Sequence, residues 1–316
     1  MTAHYWVTAA ALNAGPGLRP ARPREGSGSV GHPMSASSPF PSAHDRAAAV
    51  TRLRAAGCVF AEDEARLLIA AARTPAGLAA LVGQRAAGQP LEHVLGWAEF
   101  CGLRIAVDPG VFIPRRRTEF LVRRAAALAR RAAAPARQDP ARPRAVAVVD
   151  LCCGSGAVGA ALAASLGQVE LHAADIDPAA VRCARRNVAA AGGQVYQGDL
   201  YGPLPARLRG RIDILAANVP YVPSGEVGLL PPEARAHEPR VALDGGADGL
   251  EVLRRVAAGA PRWLAPGGHL LVETSERQAP LAAEAIGHDG LQPRVAHSSR
   301  LNATVVIGTM PPGWGE

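Results

Sequence analysis

The segment Asp150-Leu151-Cys152-Cys153-Gly154-Ser155-Gly156-Ala157-Val158-Gly159 constrains the fold more than any other stretch of this chain. It follows an apolar run over residues 145–150. Its three glycines supply the freedom for a sharp strand-to-helix turn whose backbone a ligand can approach closely. The pattern then repeats. Residues 169–174 read as a second strand and residues 178–191 as a helix with Pro178 in its first turn. Further strands are expected at 194–197, 212–217 and 268–273, with Val295 and residues 301–308 forming a terminal pair. Such alternation predicts an α/β domain with a mostly parallel sheet covered by helices on both faces. Ligands on such sheets lie at the carboxyl ends of the strands.

Upstream the periodicity is helical. One helix is expected from about Asp45 to Ala56, stopped by Gly57, and a second over about 62–72. A third has Thr74 as N-cap and Pro75 in its first turn. Residues 97–107 alternate as a short hairpin turning at Cys101-Gly102, and residues 118–133 form a helix capped by Thr118 and ended before Pro135. The expected organisation has four parts. Residues 1–41 are a disordered tail or an over-long start, with Met34 an alternative first residue. Residues 42–96 form a helical domain, residues 97–144 a hairpin, helix and proline-rich connection, and residues 145–316 the catalytic domain.

Composition narrows the class only slightly. Of 316 residues, 48% are apolar and 19% charged, which is globular rather than disordered. The formal charge of +7 is carried without a single lysine. It suits an acidic protein or a nucleic acid without choosing between them. The five cysteines form no CxxC pair and no zinc-like cluster, so reduced thiols in a cytoplasmic, reducing compartment are expected, with no metal. No apolar run is long enough to cross a membrane.

Acids stand at the strand ends. Asp175 closes the second strand, where a carboxylate accepts hydrogen bonds from ribose hydroxyls, while Asp177, just before Pro178, suits a helix cap. Asp199, in Gly198-Asp199-Leu200, follows the third strand at the expected edge of an adenine. A nicotinamide dinucleotide and S-adenosylmethionine both fit these features. Asp150 favours the second, because a carboxylate there repels a pyrophosphate but tolerates the ammonium group of an amino-acid moiety.

The fourth strand ends in Asn218-Val219-Pro220-Tyr221. An amide nitrogen is a poor nucleophile, since its lone pair is delocalised, and it must be held in line with the methyl it receives. The Asn218 side-chain oxygen and the Val219 carbonyl are placed to accept its two N–H bonds. Pro220 stiffens the turn, and Tyr221 is suited to stack on the amide plane. A strand-ending turn alone would also explain Asn and Pro here. The spacing behind the upstream loops argues for catalysis.

With these blocks in order, the sequence resembles the HemK family of protein-(glutamine) methyltransferases, which act on the Gly-Gly-Gln loop of peptide-chain release factors. The likeness runs from about residue 47 to 308. It includes Pro90-Leu91-Glu92-His93-Val94-Leu95-Gly96, Val107-Asp108-Pro109-Gly110-Val111-Phe112-Ile113-Pro114-Arg115, Thr118-Glu119, Glu238-Pro239-Arg240, Gly245-Gly246, Asp248-Gly249-Leu250, and Glu273 with Gln278. The resemblance implies a seven-stranded Rossmann-like S-adenosylmethionine-dependent methyltransferase domain behind a small helical domain that helps recognise the protein substrate. It implies cofactor contacts from Gly154, Ser155, Gly156, Ala157, Val158, Asp175, Leu200 and Asn218, with S-adenosylhomocysteine as product, and substrate contacts from Asn218 to Tyr221. Two departures stand out. Val219 replaces the first proline of the usual Asn-Pro-Pro-Tyr, and after Arg115, where the family usually has a proline or a small variation before an acid, Arg116-Arg117 intervene.

Other classes remain open at this level. A glutamine in a ribosomal protein is an alternative acceptor. An exocyclic adenine amine in DNA or RNA presents the same planar N–H₂ group, although no strongly basic target-recognition domain is evident. A nicotinamide-dependent oxidoreductase lacks an evident catalytic set, and a non-catalytic binder on the same fold is a further reading. The expected protein is a monomer with a release factor as partner, requiring neither nucleic acid nor membrane.

Overall fold

The computed structural model describes residues 42–136 and 145–312. The expected tail at 1–41 and most of the proline-rich connection lie outside these residues. The chain divides into two compact units, with the boundary between Leu95 and Gly96.

The first unit is helical. α1 (Ala43–Ala55) opens on a capping box in which Asp45 N donates to the Ser42 hydroxyl and Ser42 N to the Asp45 carboxylate. Asp45, expected to start the helix, is therefore its third residue and the acid that closes the box. α2 (Ala61–Ala71) and α3 (Pro75–Ala86) follow, and the Thr74 hydroxyl caps α3 by accepting from Gly77 N at 3.0 Å. α4 (Leu91–Leu95) ends the unit. Leu53, Leu68, Leu78 and Val82 form its core. Beside them Arg85 pairs with Glu64 at 2.6 Å, which satisfies a carboxylate otherwise costly to bury.

The second unit begins with the expected hairpin, β1 (Trp97–Phe100) and β2 (Leu103–Ala106). Cys101 and Gly102 both have positive φ, the signature of a tight two-residue turn. A 3₁₀ turn over Arg116–Thr118 then leads directly into α5 (Glu119–Ala136). Thr118 is therefore not the helix cap. The turn continues into the helix, and the Thr118 hydroxyl oxygen is buried without a partner. α5 also passes through Pro135, since a proline in a final turn forfeits only a single hydrogen bond.

The rest alternates as the sequence predicts. In order come β3 (Val146–Leu151), α6 (Ala157–Leu166), β4 (Val169–Asp175), α7 (Pro178–Val188), β5 (Gln194–Gln197), β6 (Ile212–Ala217), α8 (Pro232–His237), α9 (Glu251–Gly259), β7 (Leu264–Thr274), α10 (Ala279–His288), β8 (Gln292–Ser298) and β9 (Ala303–Thr309). They build a seven-stranded sheet in the order β5-β4-β3-β6-β7-β9-β8. Strands β3 to β7 pair in parallel, and β9 runs antiparallel between β7 and β8. β7 is longer than expected, because its pairing with β6 begins at Leu264 and tolerates a register irregularity before His269.

Alternate residues of the central strands feed two cores. Val148 joins Phe100, Ile105, Leu121 and Leu162 on one face, while Val149 joins Leu215, Leu253 and Ile286 on the other. The hairpin and α5 thus share a core with the sheet. The order reverses between β3 and β6, which opens a crevice at their carboxyl ends.

Candidate functional site

Register brings the sequence-predicted residues to one edge. Leu151 on β3 lies level with Ala174 on β4 and Ala217 on β6, so Cys152, Asp175 and Asn218 leave the sheet side by side. Asp175 is level with Gln197, which places Gly198, Asp199 and Leu200 next along the same edge.

The three glycines of the first loop do different work. Gly154 and Gly156 both have positive φ. A Cβ on Gly154 would meet only the Phe112 Cβ, at 4.0 Å, so this side of the turn is open to a ligand. At Gly156 a Cβ would press on Ala184 of α7, and at Gly159 on Asp150 and Leu171. These two let α6 pack closely. Asn187 ties the loop to the hairpin, donating to Ser155 O and Ala106 O at 2.8 Å and accepting from Ala106 N at 2.9 Å.

Asp175 holds the loop with both oxygens, accepting from Gly154 N at 2.8 Å and Asp177 N at 2.9 Å. Burial raises its pKa, and these two bonds oppose the rise. Asp177 caps α7 by accepting from Ala179 N. Asp150 is buried beneath the loop, where it accepts from Gly159 N at 2.8 Å, and desolvation pushes its pKa up to about 8. Asp199 points outward and pairs with Arg255, while Leu200 takes a positive φ. Ser155, Ala157 and Val158 are buried at the start of α6.

Asn218 carries the most telling atom. Its Oδ1 is buried and has no hydrogen-bond partner. Most buried polar atoms are satisfied, so an exception at a strand end calls for a reason. The loop behind it is held from several sides. Val222 N donates to Leu243 O at 3.1 Å, and Gly245 N to Val222 O at 2.8 Å. Gln278 Nε2 donates to both Tyr221 O and Asp248 O at 3.0 Å, while its Oε1 accepts from Ser275. Gly245 and Gly249 press against Pro220 O and Tyr221 O, where no Cβ would fit.

The family model Methyltransferase small domain matches residues 138–228, a span that holds the glycine turn, Asp175 and Asn218. The release factor glutamine methyltransferase of Geobacter sulfurreducens is 41% identical over 201 residues, covering 63% of this chain and 65% of that protein, slightly under two thirds of its length. That of Mycolicibacterium smegmatis is 39% identical over 232 residues, 72% of this chain and 78% of its relative. The chain belongs to the release factor glutamine methyltransferase family. A 4-amino-L-phenylalanine/4-methylamino-L-phenylalanine methyltransferase of Streptomyces pristinaespiralis is also similar, 36% identical over 235 residues, 74% of this chain and 77% of that one.

For a member of this family, the chain carries a second layer of charge that sequence reasoning did not assign. Arg115 pairs with the buried Glu238 at 2.5 Å, and Ile113 N donates to the same carboxylate oxygen at 3.3 Å. Burial raises the Glu238 pKa against the pull of Arg115. Arg117 Nε donates to Glu273 Oε1 at 3.1 Å, and the Tyr221 hydroxyl donates to that same oxygen at 3.2 Å. A signal was present in the sequence: Glu273 is a charge at the end of the apolar run Leu270-Leu271-Val272, a place where burial demands a partner.

Proposed function

We propose that this chain transfers a methyl group from S-adenosylmethionine to a planar amide nitrogen, the acceptor being the glutamine of the Gly-Gly-Gln loop in a peptide-chain release factor. The observation that carries the proposal is the unpartnered Asn218 Oδ1, one strand away from the glycine turn. The residues present fit the cofactor. Gly154 leaves open space along the turn, and Asp175 stands at the next strand end. Gly154, Ser155, Gly156, Ala157 and Val158 would border the amino-acid portion, with Asp150 beneath them. Asp175 would take the ribose, and Asp199 and Leu200 the adenine side. The bound cofactor supplies an electrophilic methyl on a positively charged sulfur.

The rest is the work of the chain. Asn218 Oδ1 and the Val219 carbonyl accept the two N–H bonds of the acceptor and fix its plane. Pro220 and the hydrogen bonds behind the loop keep that pair of acceptors still, and Tyr221 covers the amide face. Alignment of this kind is worth about 7–11 kcal/mol when reacting groups are held in line. No strong base is required, because the methylated nitrogen becomes acidic and sheds its proton.

A second acceptor is favoured by the Streptomyces pristinaespiralis relative, whose named substrates are aromatic amines. An arylamine is also a flat N–H₂ group and would fit the same two acceptors. Labelled cofactor incubated separately with a release factor, 4-amino-L-phenylalanine and total nucleic acid distinguishes the readings. Label in the Gly-Gly-Gln peptide supports the proposal. Label in the amino acid or in nucleic acid alone overturns it.

A further inference from the structure

Glu273 and Arg117 meet at the acceptor loop without belonging to it. Glu273 lies one residue beyond the Ala217–Val272 register pair, level with Asn218 at the sheet edge. Its side chain is 2% exposed, yet its Oε1 takes both the Tyr221 hydroxyl and Arg117 Nε, while Oε2 has no hydrogen-bond partner. The Arg117 guanidinium also lies over the Tyr221 ring, 5.7 Å from its centroid. The ring is therefore fixed at two places, at its hydroxyl by the carboxylate and at its face by the cation. Arg117 thus brings a guanidinium to a buried carboxylate that also takes the Tyr221 hydroxyl.

We infer that Glu273 and Arg117 are positioning residues that set the attitude of the Tyr221 ring towards the acceptor. The inference rests on the proposed role of Tyr221 as the cover of the acceptor plane. A buried charged hydrogen bond that only stabilised the fold would affect every function of the site. One that aims a ring should affect the alignment of the acceptor and spare the cofactor.

The test compares Glu273→Gln, Arg117→Ala, Arg117→Lys, Tyr221→Phe and the double variant Glu273→Gln/Tyr221→Phe. Each is measured for S-adenosylhomocysteine affinity by calorimetry and for kcat and KM on the acceptor that labels. Glu273→Gln should lower kcat/KM about tenfold or more, with cofactor affinity within about twofold of the parent. The double variant should lose no more than the worse single one. Arg117→Lys should recover part of what Arg117→Ala loses. Losses that multiply, or a Glu273→Gln variant with parental kcat/KM, overturn the inference.

A second arm needs no acceptor. With ¹³C ring-labelled tyrosine, the Tyr221 resonance is the one of four missing from Tyr221→Phe. It should move in Glu273→Gln and Arg117→Ala while the other three stay in place. If the parent labels no glutamine but this resonance moves as stated, the acceptor reading fails and the positioning inference stands. If it does not move, the inference fails whatever the acceptor is.

Discussion

An oxygen buried without a hydrogen bond costs about 1–3 kcal/mol, and the chain bears that cost at Asn218 Oδ1. Such a cost is tolerable where a ligand donor relieves it. Replacing Asn218 with Ala should therefore lower methyl transfer by about a hundredfold or more, in line with the loss of one aimed polar group from an active site. Calorimetry with S-adenosylhomocysteine should meanwhile show nearly parental affinity. Normal turnover in Asn218→Ala would remove the loop from the chemistry. Asp175 makes the opposite prediction. Asp175→Ala should weaken cofactor binding about ten- to a hundredfold, the effect of losing charge-assisted hydrogen bonds, because the same side chain also fixes Gly154. Unchanged affinity by calorimetry would dismiss the ribose assignment.

Among the elements, the turn that follows β6 depends on backbone contacts from a neighbouring loop. Gly249 has φ +77°, and a Cβ there would run into Tyr221 O and Gln278 Nε2. Gly249→Ala should destabilise the protein by about 1–3 kcal/mol from backbone strain alone, seen as a lower urea midpoint, and it should lower kcat as the turn shifts. A variant with parental midpoint and kcat would show that this contact does not hold the turn. The central elements were readable in the sequence because their signals are local: glycines at strand ends, prolines in first turns, and the Cys101-Gly102 bend. The misreadings arose where local signals competed with the chain around them. Thr118 has the chemistry of a cap, but a 3₁₀ turn feeding α5 displaced it, and Pro135 looked like a stop although the last turn absorbs it. The Arg117–Glu273–Tyr221 contact was not legible, because it joins residues 156 and 52 positions apart that only the sheet brings together.

For the whole molecule, the buried Asp150 links folding to pH. In the unfolded chain it ionises near 3.8, and in the fold near 8. Between those values the folded state keeps a proton that the unfolded state has released. Stability should therefore fall as pH rises through that window, by up to about 1.4 kcal/mol for each pH unit, and level off above it. Urea unfolding of the parent and Asp150→Asn at pH 6 and pH 9 checks the sign. The parent should lose more stability than the variant, since Asn cannot ionise, and equal losses would show that another group governs the slope.

Val219 is 1% exposed and packs in the core between the sheet, α9 and α10, while the turn around it is secured by Gln278 and the glycine loop. Its side chain answers to its hydrophobic neighbours, whereas the carbonyl proposed to meet the acceptor belongs to the main chain. Descent can therefore exchange proline for valine at this place, or valine for another residue of similar bulk, without rewriting what the turn presents outward.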